Sequence, residues 1–241
     1  CMDVLAPSFD VEGGRMDRPT RKPFLTAEWR RLVMANFEVG ADALAPFVPT
    51  GVELDVWRGR NYVSLVGFLF LKTRVFGAAV PGHENFEEVN LRFYVRRKAG
   101  AEWRRGVVFV KEIVPRRAIA WTARALYGER YVALPMTHAV REGGEDGGET
   151  TYSWRFRGRE NRLSARGIGA AADVAVGGEE EFITEHYYGY SRRRGGGTTE
   201  YRVEHPRWRV RSVAKCEIDC DVCALYGDRF VEALAGKLTA V

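Results

Sequence analysis

From Phe86 to Val95 the chain reads Phe-Glu-Glu-Val-Asn-Leu-Arg-Phe-Tyr-Val, an alternation with a period of two. Neighbouring side chains on an extended strand point to opposite faces. Glu88, Asn90 and Arg92 therefore share one face, and Val89, Leu91, Phe93 and Val95 the other. A row of four apolar side chains needs a packed partner. The polar row has two possible fates: a solvated outer face, or the lining of a cavity. In a cavity, a carboxylate, an amide and a guanidinium can satisfy one another and still offer donors to a ligand carboxylate or carbonyl. That reading makes Glu88, Asn90 and Arg92 candidate ligand contacts. It also makes Glu88 a candidate for proton transfer, because burial raises a carboxyl pKa.

The rest of the chain repeats this strand grammar. Val52–Trp57 and Asn61–Arg74 flank Arg58-Gly59-Arg60, a hairpin signal, and Glu88–Arg97 and Arg105–Val114 flank the turn at Ala99-Gly100. Tyr131–Arg141 and Thr150–Arg157 surround Glu142–Gly148, which is too polar and glycine-rich for anything but a loop. Arg162–Val176, His186–Arg193, Thr198–His205 and Arg209–Val222 complete the set. Helices are few and short: Ala41–Phe47, Glu179–Thr184, Gly227–Ala235 and Arg116–Tyr127, the last with Pro115 before it and Gly128 after it. The expectation is a mainly β (α+β) chain forming a barrel or sandwich. It would be one domain over 23–241 behind an extension at 1–22.

Composition narrows the function classes. The chain is 46% hydrophobic, enough for a core, and its net charge of +5 from 37 basic and 32 acidic residues is too diffuse for a nucleic-acid tract. The longest apolar run, Tyr62–Leu71, is half of what a membrane helix needs. Cys1–Lys22 lacks a long apolar stretch and carries Asp10, Glu12 and Asp17, so it does not read as a secretory signal, and a cytoplasmic location is expected. Cys216, Cys220 and Cys223 have a spacing known from iron–sulfur sites. Local alternation instead puts Cys216, Ile218, Cys220 and Val222 on one apolar face, as small core residues. The four histidines form no ligand pair, and no metal or cofactor is called for. Arginines interleave with aromatics at Tyr152–Arg159 and Trp208–Arg211. Such rows can bind single strands, but aromatics inward and arginines outward also describe an ordinary half-buried strand. The segment Glu185–Tyr190 with Tyr201 and His205 either lines a pocket mouth or holds tyrosines with buried rings and wet hydroxyls.

The segment Asp42–Leu54, with Asn90–Val95, Gly106–Phe109, Ala123–Gly128 and Thr184–Tyr190, resembles the YqjF-like bacterial family of unknown function, within the acetoacetate decarboxylase-like superfamily. The resemblance runs from Pro23 to Ala235 and implies a closed antiparallel β-barrel or cone around a cavity. The decarboxylases of that superfamily form an imine through a lysine of depressed pKa. That lysine follows an arginine matched here by Arg124, and its place falls at Tyr131 and Val132, neither of which can form an imine. Lys98 and Lys111 lie on other strands, and Lys111, beside Glu112, reads as exposed. The family's pocket arginine matches Arg30 (or Arg31) and one pocket glutamate matches Glu88, while Ser64 stands where a second is expected. The resemblance thus implies a small-molecule site formed by Arg30, Ser64, Glu88, Asn90, Arg92, Arg124, Tyr131 and His186, without the covalent lysine. A decarboxylase or lyase acting on a keto acid through another lysine is the alternative, with nucleic-acid binding through the arginine rows a third. Homo-oligomerisation is left open, and no membrane partner is expected.

Overall fold

The computed structural model describes residues 9–11, 23–143, 148–193 and 195–240. The expected extension at 1–22 falls almost wholly outside them, as do the tip of the Glu142–Gly148 loop, Arg194 and the side chain of Arg124. The strands are β1 (Phe9–Val11), β2 (Leu25–Val39), β3 (Glu53–Leu54), β4 (Asn61–Val75), β5 (Ala78–Ala79), β6 (Phe86–Ala99), β7 (Glu102–Val114), β8 (Tyr131–Ala133), β9 (Met136–Arg141), β10 (Glu149–Phe156), β11 (Arg159–Asp173), β12 (Tyr188–Arg192), β13 (Thr198–Val203), β14 (Arg209–Asp219) and β15 (Leu238–Ala240). The helices are α1 (Ala41–Leu44), α2 (Arg117–Tyr127), α3 (Glu179–Thr184), α4 (Val222–Tyr226) and α5 (Val231–Ala235). Leu134 and Pro135 split the expected Tyr131–Arg141 strand into β8 and β9, as a proline without an N–H would.

Two sheets form. The larger has the order β1-β13-β12-β7-β6-β4-β2-β15, with β3 on β6, β5 on β4 and β8 on β7; the smaller has the order β14-β11-β10-β9. Two features depart from the expected closed antiparallel barrel. Among the described residues neither ladder closes on itself. The β12–β7 and β7–β8 pairings are parallel, because both strands reach the free edge of β7 through crossovers rather than hairpins.

The larger sheet is buried on both faces, which is why β4 reads as a nearly unbroken apolar run from Tyr62 to Phe70. One face carries Val33, Val63, Leu65, Val89, Leu91, Phe93 and Val95, packed against Tyr152, Trp154 and Leu163 of the smaller sheet and Leu225 and Phe230 near the C-terminus. The sheets approach so closely at Gly67 that a Cβ there would lie 2.5 Å from the Tyr152 ring. Cys216, Ile218, Cys220 and Val222 all pack against this core, although β14 ends at Asp219 and Val222 opens α4 rather than continuing the expected strand. Burial pushes the Cys216 and Cys220 thiols up to about 11 and about 12, so they are inert packing groups. Tyr152 and Trp154 point inward while Arg155, Arg157 and Arg159 are exposed, the half-buried strand pattern. No helix among the described residues is long and apolar enough to cross a membrane.

The opposite face carries Trp29, Met34, Val66, Phe68, Phe70, Phe86 and Tyr94, covered by Ala120 of α2, by Phe182 and Ile183 of α3, and by Tyr201, Val203 and Trp208. Polar groups are concentrated on this face.

Candidate functional site

Glu88, Asn90 and Arg92 project from β6 beneath α2 and α3. Glu88 is 2% exposed and Asn90 1%, so the polar row lines an interior rather than facing solvent. Asn90 Nδ2 donates to Glu88 Oε1 at 2.9 Å, and the Tyr131 hydroxyl donates to Glu88 Oε2 at 3.0 Å. Burial drives the Glu88 pKa up to about 7, against the opposing pull of these two hydrogen bonds and of the Arg92 charge. Asn90 Oδ1 and Arg92 Nε have no hydrogen-bond partner among the described residues.

Two further acids complete the cluster. Glu112 lies directly across the ladder from Asn90. Glu129 follows α2 and accepts from the Tyr201 hydroxyl at 2.9 Å. Both are buried. Burial first, then the charges of Glu129 and Glu88, raise Glu112 well above the usual carboxylate range. Burial likewise lifts Glu129 to about 8. Three carboxyl groups enclosed together cannot all ionise, so the cluster holds protons near neutral pH. Tyr131 is hydrogen-bonded to Glu112 as well as to Glu88. Tyr201 reaches the cluster because it crosses β12 at Gly189, where a Cβ would lie 2.0 Å from its ring.

A bulge decides which β7 side chains enter this interior. Leu91 pairs with Lys111 and Arg92 with Phe109, so Val110 is an extra residue on β7. Before it, Val107 and Phe109 face the acid side and Val108 and Val110 the other; after it the phase is inverted, with Ile113 on the far side and Val114 on the near. The inversion turns Glu112 inward and Lys111 outward. Lys111 is half-buried rather than exposed as its sequence neighbourhood suggests, and Nζ donates to the Leu225 carbonyl on the far side of the sheet. Burial and the charges of Arg157 and Arg130 lower its pKa.

The carboxyls form a partition between two chambers that share Phe70, Glu88, Glu112, Tyr131 and Tyr201. The first, about 190 Å³, is lined chiefly by apolar groups including Phe24, Val75, Phe86 and Ile119, with Glu129 among its lining, and reaches the exposed Val80. The second, about 70 Å³, adds Asn90, Arg92, His186 and His205. No lysine lines either chamber among the described residues.

The remaining sequence candidates divide. Ser64 shares the polar row's face, donating to Asn36 Oδ1 at 2.6 Å and lying 2.5 Å from the Tyr94 hydroxyl, but it lines neither chamber. His186 lines the second chamber. Its Nε2 faces Asp55 Oδ2 at 3.0 Å, and the same carboxylate oxygen accepts from Arg105 Nε at 2.6 Å. Burial lowers His186 to about 4, so the ring is neutral and Nδ1 is left as an acceptor. Arg30 lies elsewhere. A register shift between Arg30 and Val33 and a positive φ of 56° at Arg31 separate it from Leu32, and it pairs with Glu28 at 2.7 Å on the opposite face from Trp29. Arg31 pairs with Glu142, also away from the partition. Sequence reasoning missed Glu112, Glu129 and Asp55 and left Tyr201 open. For Glu112 the one local signal was a strand with apolar residues on both faces, which forces a charged side chain in it toward an interior.

The comparisons with known proteins agree with this architecture. A family model, DUF2071, described as an uncharacterised conserved protein, matches residues 26–237. The uncharacterised protein YqjF of Bacillus subtilis (strain 168) is 27% identical over 194 residues, covering 79% of this chain and 76% of its own length. Two solved structures share the fold at low identity. The enduracididine biosynthesis enzyme MppR, complexed with pyruvate, has a TM-score of 0.52 at 12% identity, over 85% of this chain and 93% of its own. Acetoacetate decarboxylase from Legionella pneumophila has a TM-score of 0.52 at 11% identity, over 93% of this chain and 86% of its own. Identities this low establish an acetoacetate decarboxylase-like fold and nothing about chemistry.

Proposed function

We propose, for a chain that belongs to the DUF2071 family of uncharacterised conserved proteins, a small-molecule-binding role centred on the Glu88 partition, with no imine formed there. The ligand is a carbonyl- or carboxylate-bearing compound. The observation that carries this is the second chamber. There a buried Arg92 Nε, without a hydrogen-bond partner among the described residues, faces the same space as Glu88, whose pKa of about 7 leaves it part-protonated near neutrality, while the neighbouring amine, Lys111, is turned across the sheet. A guanidinium N–H and a carboxylic O–H are both donors to a carbonyl oxygen. With a pKa of about 7, Glu88 can also exchange a proton with a bound carbonyl compound near neutrality, which permits lyase-like proton transfer without a covalent intermediate. The neighbour MppR was solved with pyruvate, a compound of the proposed class.

Titration calorimetry with pyruvate and acetoacetate tests the reading. Binding is expected, with affinity reduced about tenfold or more in Arg92→Gln, as for loss of one charge-assisted hydrogen bond. Unchanged affinity in that variant would remove Arg92 from the site. The depressed pKa of Lys111 favours a second reading, an imine-forming lyase working from the opposite face. Borohydride treatment with acetoacetate followed by peptide mass spectrometry separates the two. The first reading expects no lysine adduct, and an adduct on Lys111 establishes the second.

A further inference from the structure

We propose that the carboxyl partition is a receptor for a protonated nitrogen, an ammonium group whose apolar arm occupies the chamber between α2 and the β4–β6 edge. This deepens the small-molecule reading and rests on the same cavity, but it assigns a charge type and a shape that the carbonyl reading does not.

The acids alone would not support this. The added observation is a pair of orphaned acceptors. Asn90 Oδ1 and Glu112 Oε2 have no hydrogen-bond partner among the described residues, both residues are at most 2% exposed, and both line the second chamber. Directly paired residues on neighbouring strands project to the same side, so the two acceptors look into one space. An ammonium group carries three donors and no acceptor, which matches these two orphaned acceptors and an adjacent carboxyl, whereas the orphaned donor of the second chamber, Arg92 Nε, suits the carbonyl reading. A bound cation also removes the reason the cluster keeps its protons: Glu88, Glu112 and Glu129 repel one another only until a positive charge sits among them. The titratable and charged groups lining the two chambers are Glu88 and Arg92 from β6, Glu112 from β7, Glu129 before β8, Tyr131 from β8 and Tyr201 from β13, with His83 on the first-chamber side and His186, Tyr188 and His205 on the second-chamber side. Arg92 lines only the second chamber, whereas Glu88 and Glu112 line both and no lysine or arginine lines the first among the described residues, so the cation enters from the first chamber. There Phe24, Phe70, Val75, Val80, Phe86 and Ile119 enclose an alkyl or aryl arm.

Binding draws its charge from deprotonation: the ligand ammonium stays intact, and one carboxyl proton leaves to buffer. The test is titration calorimetry of the full chain with hexylammonium, hexanoate and hexanol at pH 6 and pH 8, in two buffers of different ionisation enthalpy. Hexylammonium should bind best. Its affinity should rise about tenfold from pH 6 to 8, as for release of one proton from a group of pKa near 7, and the heat should depend on the buffer. Affinity should grow about fourfold for each methylene from butyl to hexyl, from burial of the added carbon. Glu112→Gln should weaken hexylammonium tenfold or more while leaving hexanol unchanged, and Glu88→Gln should abolish the pH dependence; intact thermal unfolding shows that both variants are folded. The proposal is overturned if hexanoate binds better than hexylammonium, if affinity falls with pH, or if neither probe binds. Hexylammonium binding in the absence of pyruvate and acetoacetate binding would leave this inference standing and refute the carbonyl reading, and the reverse pattern would do the opposite.

Discussion

On one face of β6, Val89, Leu91, Phe93 and Val95 are completely buried against the smaller sheet. On the other, one residue along the strand in each case, Glu88 and Asn90 are buried to nearly the same degree with acceptors and protons to spare. The backbone is the same and the burial is the same, yet the thermodynamic roles are opposite. The apolar row stabilises the fold, since each of its side chains gains free energy on leaving water. The polar row does not: an enclosed carboxyl loses hydration, and the hydrogen bonds from Asn90 and Tyr131 return only part of it. A strand that spends one of its two buried faces this way is specialised for what enters the cavity.

The largest effect should come from the apolar face. Phe93→Ala should lower unfolding free energy by about 3–5 kcal/mol in urea titration, as for a large aromatic removed from a close-packed core. Glu112→Gln at pH 6 should cost far less, because it replaces a protonated carboxyl with a neutral amide of the same shape. If the two variants were equally destabilised, the contrast between the faces would fail.

Next in size is the pH response. The folded-state pKa values of Glu88 and Glu129, about 7 and about 8, lie above the ordinary carboxyl value, so the native state holds protons that the unfolded chain releases. Their contribution is fully present below about pH 4.5 and is lost as pH rises through 7 to 8. His186, lowered to about 4, acts in the opposite sense, but only from about pH 4 to 6.5. Above that window the acids act alone, and stability should fall by roughly 2 kcal/mol between pH 6.5 and 8.5. Glu112→Gln should be the more stable protein at pH 8.5. A flat profile, or one rising with pH, would show that the acids are not enclosed.

A smaller effect is expected at the hydroxyl that steadies Glu129. Tyr201→Phe should cost about 1 kcal/mol, the net worth of one buried hydrogen bond, and should raise the pH at which the stability loss is complete, because the bond from Tyr201 favours the ionised carboxyl. A change of Arg155 and Arg157 to alanine should have the least consequence: no measurable shift in urea midpoint, and no salt-dependent retention of single-stranded DNA before or after the change. Retention that falls steeply with salt would revive the nucleic-acid reading.

Much of this was legible from residue order. The period of two in β6 placed Glu88, Asn90 and Arg92 together. The continuous apolar run in β4 follows from burial on both faces. Pro115 and Gly128 bracketed α2, and the alternation from Cys216 to Cys220 put those two cysteines against the core. These are consequences of backbone geometry and local sterics, which act over a few residues and so are written in them. Alternation states which side chains share a face; it is silent on which face is covered and on where the count slips. The extra residue at Val110 reversed the roles of Lys111 and Glu112, and the irregularity at Arg31 carried Arg30 away from the cavity. Glu129 and Tyr201 became neighbours only because β13 pairs with β12 beside β7, with Gly189 on β12 leaving room for the tyrosine ring. A bulge is stabilised by the packing around it, and a pKa near 7 by the water that packing excludes. Both therefore belong to the assembled sheets and not to any stretch of the chain.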